Sequence, residues 1–279
     1  MTVLIVGGSG FLGAELVRQG RSAGSATAAT FHSSPGQIAG VSWHRLDLRN
    51  PASLNEALDA IRPRAVINAS SGGAEWEVTA EGGMRLAQAA AQRGIRLVHV
   101  SSDAVFSGRS NGLYKETCLP DPVTPYGAAK AAAETAVRLL GTGAVVARTS
   151  LIIGDGQSEH EYLVHALAAS TREGALFTDD VRCPVHVGDL AAALWELTLS
   201  DTAGVFHLAG PDAITRLELG ILIAQRDGLD PSLLPSGRRA DSGLPGGLSV
   251  RLDSRVTQKH LATRLRGARE FLRRPDSDR

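Results

Sequence analysis

The first residues of the chain read Thr2-Val3-Leu4-Ile5-Val6-Gly7-Gly8-Ser9-Gly10-Phe11-Leu12-Gly13. The apolar run at 2–6 is typical of a strand buried on both faces, and the apolar residues after Gly10 recur at helical spacing. Between them, Gly7, Gly10 and Gly13 have the spacing G-x-x-G-x-x-G. This order indicates a dinucleotide site, because absent side chains let the backbone approach a pyrophosphate and a helix N-terminus offers free N–H groups. A plain tight turn is the alternative interpretation.

Strands and helices alternate along the chain as far as residue 150. Strand patterns cover 26–31, 41–46, 64–69, 95–101 and 144–148, and helix patterns cover 51–61, 84–92 and the Ala-rich run after Pro125. This alternation predicts an α/β fold with a doubly wound, Rossmann-type parallel sheet. We therefore expect residues 1–150 to form a dinucleotide-binding core.

The second half of the chain is less regular. Helix patterns cover 159–172, 188–199, 215–226 and 254–273, the last with Leu261, Leu265 and Leu272 as core residues, and Pro and Gly cluster at 229–247. We expect residues 151–273 to form mainly a small C-terminal substrate-binding lobe, with elements that return to the core. Residues 274–279 are expected to be a disordered tail.

The composition limits the classes of partner. The chain has 279 residues with 29 basic and 29 acidic side chains, so no overall positive field attracts it to nucleic acid or to an anionic membrane. A small molecule is the expected partner, and a homodimer is one option for the oligomeric state. Two cysteines are too few for a disulfide framework, and no signal peptide, membrane span or metal-ligand spacing is found, so a cytoplasmic location and no metal are expected.

The turn after the second predicted strand bears on the choice of cofactor. NAD-selective sites usually carry Asp or Glu there, to bind the 2′-hydroxyl of the adenosine ribose. This chain has His32 and Ser33 and no carboxylate. These side chains suit a 2′-phosphate, which favours NADP(H) over NAD(H), unless the turn simply faces solvent. Asp47, followed by Leu48 at the end of the third strand, lies either near the adenine or at a helix cap.

Tyr126 and Lys130 lie four residues apart at the start of the Ala-rich run, and therefore on one face of a helix. A nearby cation lowers the pKa of a phenol, and such a Tyr can act as a general acid or base. The pattern also arises by chance at ordinary helix starts. Ser102 follows the strand at 95–101, at the sheet edge where ligands bind in such folds, and can bind a substrate carbonyl or cap a turn.

These motifs together resemble the extended short-chain dehydrogenase/reductases, and in particular the dTDP-4-dehydrorhamnose reductase family. The matching blocks span nearly the whole chain in family order: 100–108, Tyr126-Gly127-x-x-Lys130-x-x-x-Glu134, Arg148-Thr149-Ser150, 184–191 and 204–210.

The resemblance implies an NAD(P)-dependent oxidoreductase of carbohydrate biosynthesis, which transfers hydride from NADPH to the ketone of a nucleotide-linked 4-keto-6-deoxysugar. Tyr126 would protonate the alkoxide, Lys130 would lower the Tyr126 pKa and hold the nicotinamide ribose, and Ser102 would bind the carbonyl oxygen. By motif position, the expected cofactor residues are Gly7, Gly10, Phe11, Leu12, Gly13, Ala69 and Ser70, and the turns described above add His32, Ser33, Asp47 and Leu48. The expected substrate residues are Asp103, Ala104 and Arg182, and Arg182 either meets the diphosphate or is an exposed structural arginine.

Two departures from the family pattern lie on the substrate side. Ala104 stands where the family usually has Tyr, and Ser102 replaces a commoner Thr, so the reaction type is better supported than the sugar. A non-catalytic cofactor-binding regulatory subunit of another enzyme and a sugar-nucleotide epimerase or dehydratase are the alternatives. The intact trio of Ser102, Tyr126 and Lys130 favours catalysis.

Overall fold

The computed structural model describes residues 1–110, 112–141 and 143–273, so the tail predicted at 274–279 lies outside the described residues. The strands are β1 (Thr2–Val6), β2 (Ala26–Phe31), β3 (Ser42–Arg45), β4 (Ala65–Asn68), β5 (Arg96–Ser102), β6 (Val145–Thr149), β7 (Ile152–Ile153), β8 (Leu176–Phe177), β9 (Val181–Arg182), β10 (Val185–His186), β11 (Gly204–Leu208), β12 (Ile214–Thr215) and β13 (Ser236–Gly237). The helices are α1 (Phe11–Ser22), α2 (Pro51–Ile61), α3 (Gly82–Gln92), α4 (Pro125–Leu140), α5 (Glu159–Ala168), α6 (Val187–Leu199), α7 (Arg216–Asp227), α8 (Arg255–Lys259) and α9 (Ala268–Phe271).

Seven parallel strands form the central sheet, in the order β11-β6-β5-β4-β1-β2-β3. The alternating side chains of β1 separate two cores: Val3 and Ile5 pack with α1 and α6, and Leu4 and Val6 pack with α2 and α3. Because both faces of the sheet are covered by helices, its central strands β1 and β4 are apolar except for Thr2 and Asn68. The predicted α/β, doubly wound fold is confirmed.

The C-terminal half contributes both to this sheet and to a separate cluster. Strand β11 extends the sheet beyond β6, and α6 packs against α1. Helices α5 and α7 enclose a third apolar core with β7 and α9. The start of α7 follows the expected pattern, since Thr215 and Glu218 form a capping box.

Two predicted helices are wrong in extent. The helix expected at 159–172 ends at Ala168, and Ser170 has a positive φ of 54° that breaks the helical path. The helix expected at 254–273 is instead the two short helices α8 and α9. Between them the backbone N–H groups of Ala262 and Thr263 donate to Glu196 of α6, at 2.6 and 2.9 Å, instead of to carbonyls within a helix. The three leucines predicted as core in this segment are buried.

Candidate active site

A cavity of about 770 Å³ lies outside the carboxyl ends of the central strands. Parallel strands end at the same edge of a sheet, so residues distant in sequence meet there. Its lining includes every residue predicted for the chemistry or for the substrate: Ser102, Asp103, Ala104, Tyr126, Lys130 and Arg182. Of the predicted cofactor residues, Phe11, Leu12, Ala69 and Ser70 also line it.

Helix α4 places Tyr126 and Lys130 on the cavity wall. The helix begins where Thr124 accepts a hydrogen bond from the Gly127 N–H at 3.0 Å, with Pro125 in its first turn. A Cβ atom on Gly127 would lie 2.0 Å from the Ala104 carbonyl oxygen. Glycine at this position therefore lets the first turn of α4 pack directly on the loop that follows β5.

Ser102 ends β5 and faces the same cavity. Its hydroxyl accepts a hydrogen bond from the Ala104 N–H at 3.1 Å and donates to Asp103 Oδ1 at 3.3 Å. Asp103 in turn accepts from the Ser150 hydroxyl at 2.6 Å and lies 3.7 Å from the Arg182 Nε atom. The serine therefore combines the two roles that the sequence left open, a turn cap and a hydroxyl on the cavity wall.

The electrostatics of Tyr126 differ from the expectation. Burial raises the pKa of the Tyr126 phenol, the charge of Asp103 adds to that, and hydrogen bonds to the hydroxyls of Ser102 and Ser71 oppose it. The predicted lowering of the Tyr126 pKa is wrong, because burial outweighs the groups that lower it. The Lys130 Nζ atom lies 6.0 Å from the ring centroid and donates to the Val100 and Ser70 carbonyls. The phenol is therefore protonated at neutral pH and available as a proton donor.

The glycine turn fits the pyrophosphate of a dinucleotide. Gly7 has φ of +80°, and a Cβ atom on it would lie 2.8 Å from the Ser70 Cα atom. A Cβ atom on Gly13 would lie 2.0 Å from the Gly7 carbonyl oxygen. Gly10 caps α1 without a side chain, so the N–H groups of the first turn remain free for an anion. The segment that follows β4 and the glycine turn thus lie close together, beside the N-terminus of α1.

A second pocket, of about 530 Å³, lies between the start of α1 and the loop after β2. It is lined by His32 and Ser33, the residues predicted to meet a 2′-phosphate. Arg49 lies beside it, with its Nη2 atom 3.2 Å from His32 Nε2 and 2.9 Å from Asp47 Oδ2. The Arg49 guanidinium lowers the pKa of Asp47 to about 2. Arg49 was missed from the sequence, although it stands two residues after Asp47 at a strand end.

The other predicted cofactor residues lie around these two cavities without lining either. Gly7, Gly10 and Gly13 form the glycine turn itself, and the Asp47 carboxylate forms an ion pair with Arg49. Leu48 is buried against Gly82 at the start of α3. The sequence also missed Arg216, Arg239 and His160, which line the larger cavity. They come from the irregular half of the chain, where no motif marked them.

In residues 1–110, 112–141 and 143–273, no cluster of three or more His, Cys, Asp or Glu side chains is arranged to hold a metal ion. Over the same ranges, no helix has the length and apolar character that a membrane crossing requires.

Comparisons with known proteins give a consistent result. The family described as RmlD substrate binding domain matches residues 1–245. The chain is 30% identical over 261 residues to a probable low-salt glycan biosynthesis reductase of Haloferax volcanii, covering 88% of this chain and 86% of that protein. It is 30% identical over 257 residues to dTDP-4-keto-6-deoxy-D-glucose reductase of Streptomyces niveus, and the match covers 86% of this chain and 85% of that protein. It is 32% identical over 182 residues to methionine adenosyltransferase 2 subunit beta of Bos taurus, covering 62% and 54%.

Solved structures give the same fold. dTDP-4-dehydrorhamnose reductase of Bacillus anthracis, in complex with NADP, superposes with a TM-score of 0.83 at 20% identity, covering 97% of this chain and 96% of that one. UDP-glucose 4-epimerase of Thermus thermophilus, in complex with NAD, superposes with a TM-score of 0.80 at 25% identity, covering 95% and 94%.

Proposed function

Because this chain belongs to the RmlD substrate-binding domain family, we propose that it reduces the keto group of a nucleotide-linked 4-keto-6-deoxysugar with NADPH. The chain is an NAD(P)-dependent oxidoreductase of the extended short-chain dehydrogenase/reductase type. The observation that carries the proposal is the meeting of Ser102, Tyr126 and Lys130 in one cavity beside the glycine turn. Residues 1–150 then supply the cofactor site and the groups that act on the carbonyl, and residues after 150 line the rest of the cavity.

NADPH, when bound, supplies the hydride that reaches the ketone carbon. Tyr126, whose phenol is protonated at neutral pH, donates its proton to the oxygen of that carbonyl. The Ser102 hydroxyl turns from its long contact with Asp103 to donate to the same oxygen. The Lys130 ammonium has three N–H donors, of which two are used by carbonyls, and the third is left for the cofactor ribose.

The preference for NADPH rests on the loop after β2. His32 and Ser33 face the second pocket, and the Arg49 guanidinium lies beside them, paired with Asp47 at 2.9 Å and with Glu75 at 3.3 Å. A 2′-phosphate at this position would accept hydrogen bonds from these groups.

A non-catalytic regulatory subunit, the first alternative, is less well supported. The two relatives named as reductases match 88% and 86% of this chain, whereas the relative named as a subunit of another enzyme matches 62%. A regulatory subunit also has no need of a hydroxyl, a phenol and an ammonium that converge on one cavity.

A panel of nucleotide-linked ketosugars tests the proposal. Purified protein is mixed with NADPH and each compound, and the loss of NADPH absorbance is followed. We expect turnover with at least one 4-keto-6-deoxysugar nucleotide and none with the corresponding 4-hydroxy sugar. Turnover with no member of the panel, from a protein that binds NADPH, would contradict the proposed function.

A further inference from the structure

A carboxylate that is fully buried, Asp180, stands behind the wall of the larger cavity and is shared by three guanidinium groups. Its Oδ1 atom lies 2.6 Å from Arg182 Nη1. Its Oδ2 atom lies 3.0 Å from Arg239 Nη1 and 3.5 Å from Arg216 Nε. A buried carboxylate is stable only when charged partners of this kind replace its water.

The donors of Arg182 are occupied by the protein itself. This guanidinium forms an ion pair with Asp180, donates to the carbonyls of Val181 and Gly247, each at 2.8 Å, and has its Nε atom 3.7 Å from Asp103. Its charge is therefore balanced by Asp103 and Asp180, and its role is to hold the segment around Gly247 on the cavity wall. This does not favour the diphosphate contact that was predicted for Arg182.

Arg216 and Arg239 also line the cavity, and the only carboxylate they share within the described residues is Asp180. The Nη2 atom of Arg239 donates to the Pro245 carbonyl at 2.5 Å. The Nε atom of Arg239 is buried and has no hydrogen-bond partner in the described part of the chain. The Nη1 atom of Arg216 lies 3.3 Å from His160 Nδ1. Burial lowers the pKa of His160 to about 4, so this imidazole is neutral at pH 7 and adds no charge to the cluster. Glu159 also lines the cavity, on its exposed rim.

We propose that Asp180 is a positioning residue that holds Arg216 and Arg239 at the cavity wall as the binding site for the diphosphate of the nucleotide-linked substrate. The inference rests on the proposed function, because it assigns part of the same site. Three guanidinium groups, of Arg182, Arg216 and Arg239, face two carboxylates, Asp103 and Asp180, and so leave a surplus of positive charge. Planar forks of N–H donors match the oxygens of a diphosphate.

The neighbouring carboxylate fixes the backbone of the same segment. Asp179 accepts hydrogen bonds from the N–H groups of Arg239 and Ala240, at 2.6 and 3.2 Å. Adjacent aspartates thus hold the main chain and the side chain of Arg239. Arg238, one residue earlier, has a side chain that is 64% exposed and lies 3.9 Å from Asp179. It provides a matched control with the same charge and the same local sequence.

The test is the affinity for nucleoside diphosphates, measured by calorimetric titration of dTDP and of UDP into the protein saturated with NADPH. We expect the parent to bind at least one of them, and Arg216→Gln and Arg239→Gln each to raise its Kd by about tenfold or more. Arg238→Gln should leave that Kd unchanged, and the Kd for NADPH should be unchanged in all three variants. Asp180→Asn, where thermal unfolding shows that it is folded, should weaken diphosphate binding like the two arginine variants.

The diphosphate site and the proposed reaction fail separately. Binding of neither nucleotide by the parent, or parental affinity in both Arg216→Gln and Arg239→Gln, would overturn the site. If the parent binds a nucleoside diphosphate through these arginines but reduces no ketosugar, the site stands and the proposed function is lost. If the parent reduces a ketosugar and its KM is unchanged in both arginine variants, the function stands and the site is lost. A raised KM with a nearly parental kcat supports both.

Discussion

Lys130 is a buried ammonium whose hydrogen bonds are to neutral groups. Only 3% of its surface is exposed, and its Nζ atom donates to two carbonyls. Burial is the main cause that lowers its pKa from 10.5 to about 8, and the charge of Glu134 opposes this. A group with a lower pKa in the folded state binds fewer protons there, so it opposes folding wherever the unfolded chain is still protonated. This opposition is complete below about pH 8 and fades as the pH rises to 10.5.

Lys130→Met should therefore stabilise the cofactor-free protein while it removes activity. At pH 7 we expect the free energy of unfolding to rise by roughly 1–3 kcal/mol. At pH 10 the difference from the parent should be much smaller, because the parent lysine is neutral when folded. Denaturant unfolding at the two pH values measures this, with Lys115→Met at an exposed lysine as the control. A Lys130→Met protein that is less stable than the parent at pH 7 would show that the ammonium supports the fold.

Arg49 is the residue on which cofactor selectivity should depend most. Arg49→Gln removes the charge beside His32 and should raise the Kd for NADPH by about tenfold, with little change for NADH, because only NADPH carries the 2′-phosphate. Fluorescence titration with both cofactors measures this. Arg93→Gln, which removes an arginine paired with Asp59, is the control. Equal weakening for NADPH and NADH would place Arg49 against the adenine instead of the phosphate.

At the scale of the element, α4 is the part of the structure that joins the chemistry to the sheet. Tyr126, Lys130 and Glu134 lie on successive turns of this helix. Glu134 is buried and accepts hydrogen bonds from Arg148 of β6 at 2.8 Å and from Ser101 of β5 at 2.5 Å. The turn next to Lys130 is thereby fixed to the strand that carries Ser102. The first turn of α4 is fixed in turn by the contact of Gly127 with the Ala104 carbonyl.

Gly127→Ala should separate α4 from the loop after β5. In an exposed helix this change stabilises by up to about 1 kcal/mol. Here the added methyl group meets a backbone oxygen that cannot rotate away, so we expect a loss of roughly 1–3 kcal/mol in stability and at least a tenfold fall in kcat. Thermal unfolding and steady-state kinetics measure these. Gly112→Ala, whose Cβ atom would meet its nearest neighbour at 3.9 Å, is the control. A Gly127→Ala enzyme with parental kcat would mean that this contact does not position Tyr126.

At the scale of the whole molecule, the parallel sheet and the convergence of Ser102, Tyr126 and Lys130 on one cavity were predictable because their signals are local. Buried strands are continuous apolar runs, and the trio follows strand ends and a helix start. The break between α8 and α9 was not predictable, because the N–H groups involved bind a carboxylate 66 residues earlier in the chain. The pairing of Asp180 with its arginines was not predictable for the same reason, since Arg239 lies 59 residues after Asp180 in the chain. The Tyr126 pKa was predicted with the wrong sign, because spacing reveals the lysine but not the depth of burial.

The most direct test of the account is Tyr126→Phe, assayed for single-turnover reduction of a ketosugar substrate and for NADPH binding. The substitution removes one hydroxyl from the cavity and leaves the glycine turn intact. We expect the rate of reduction to fall by about 10²–10⁴-fold, because the transferred proton is lost, and the Kd for NADPH to stay within about twofold of the parent. Reduction at the parental rate by Tyr126→Phe would contradict the assignment of Tyr126 as the proton donor.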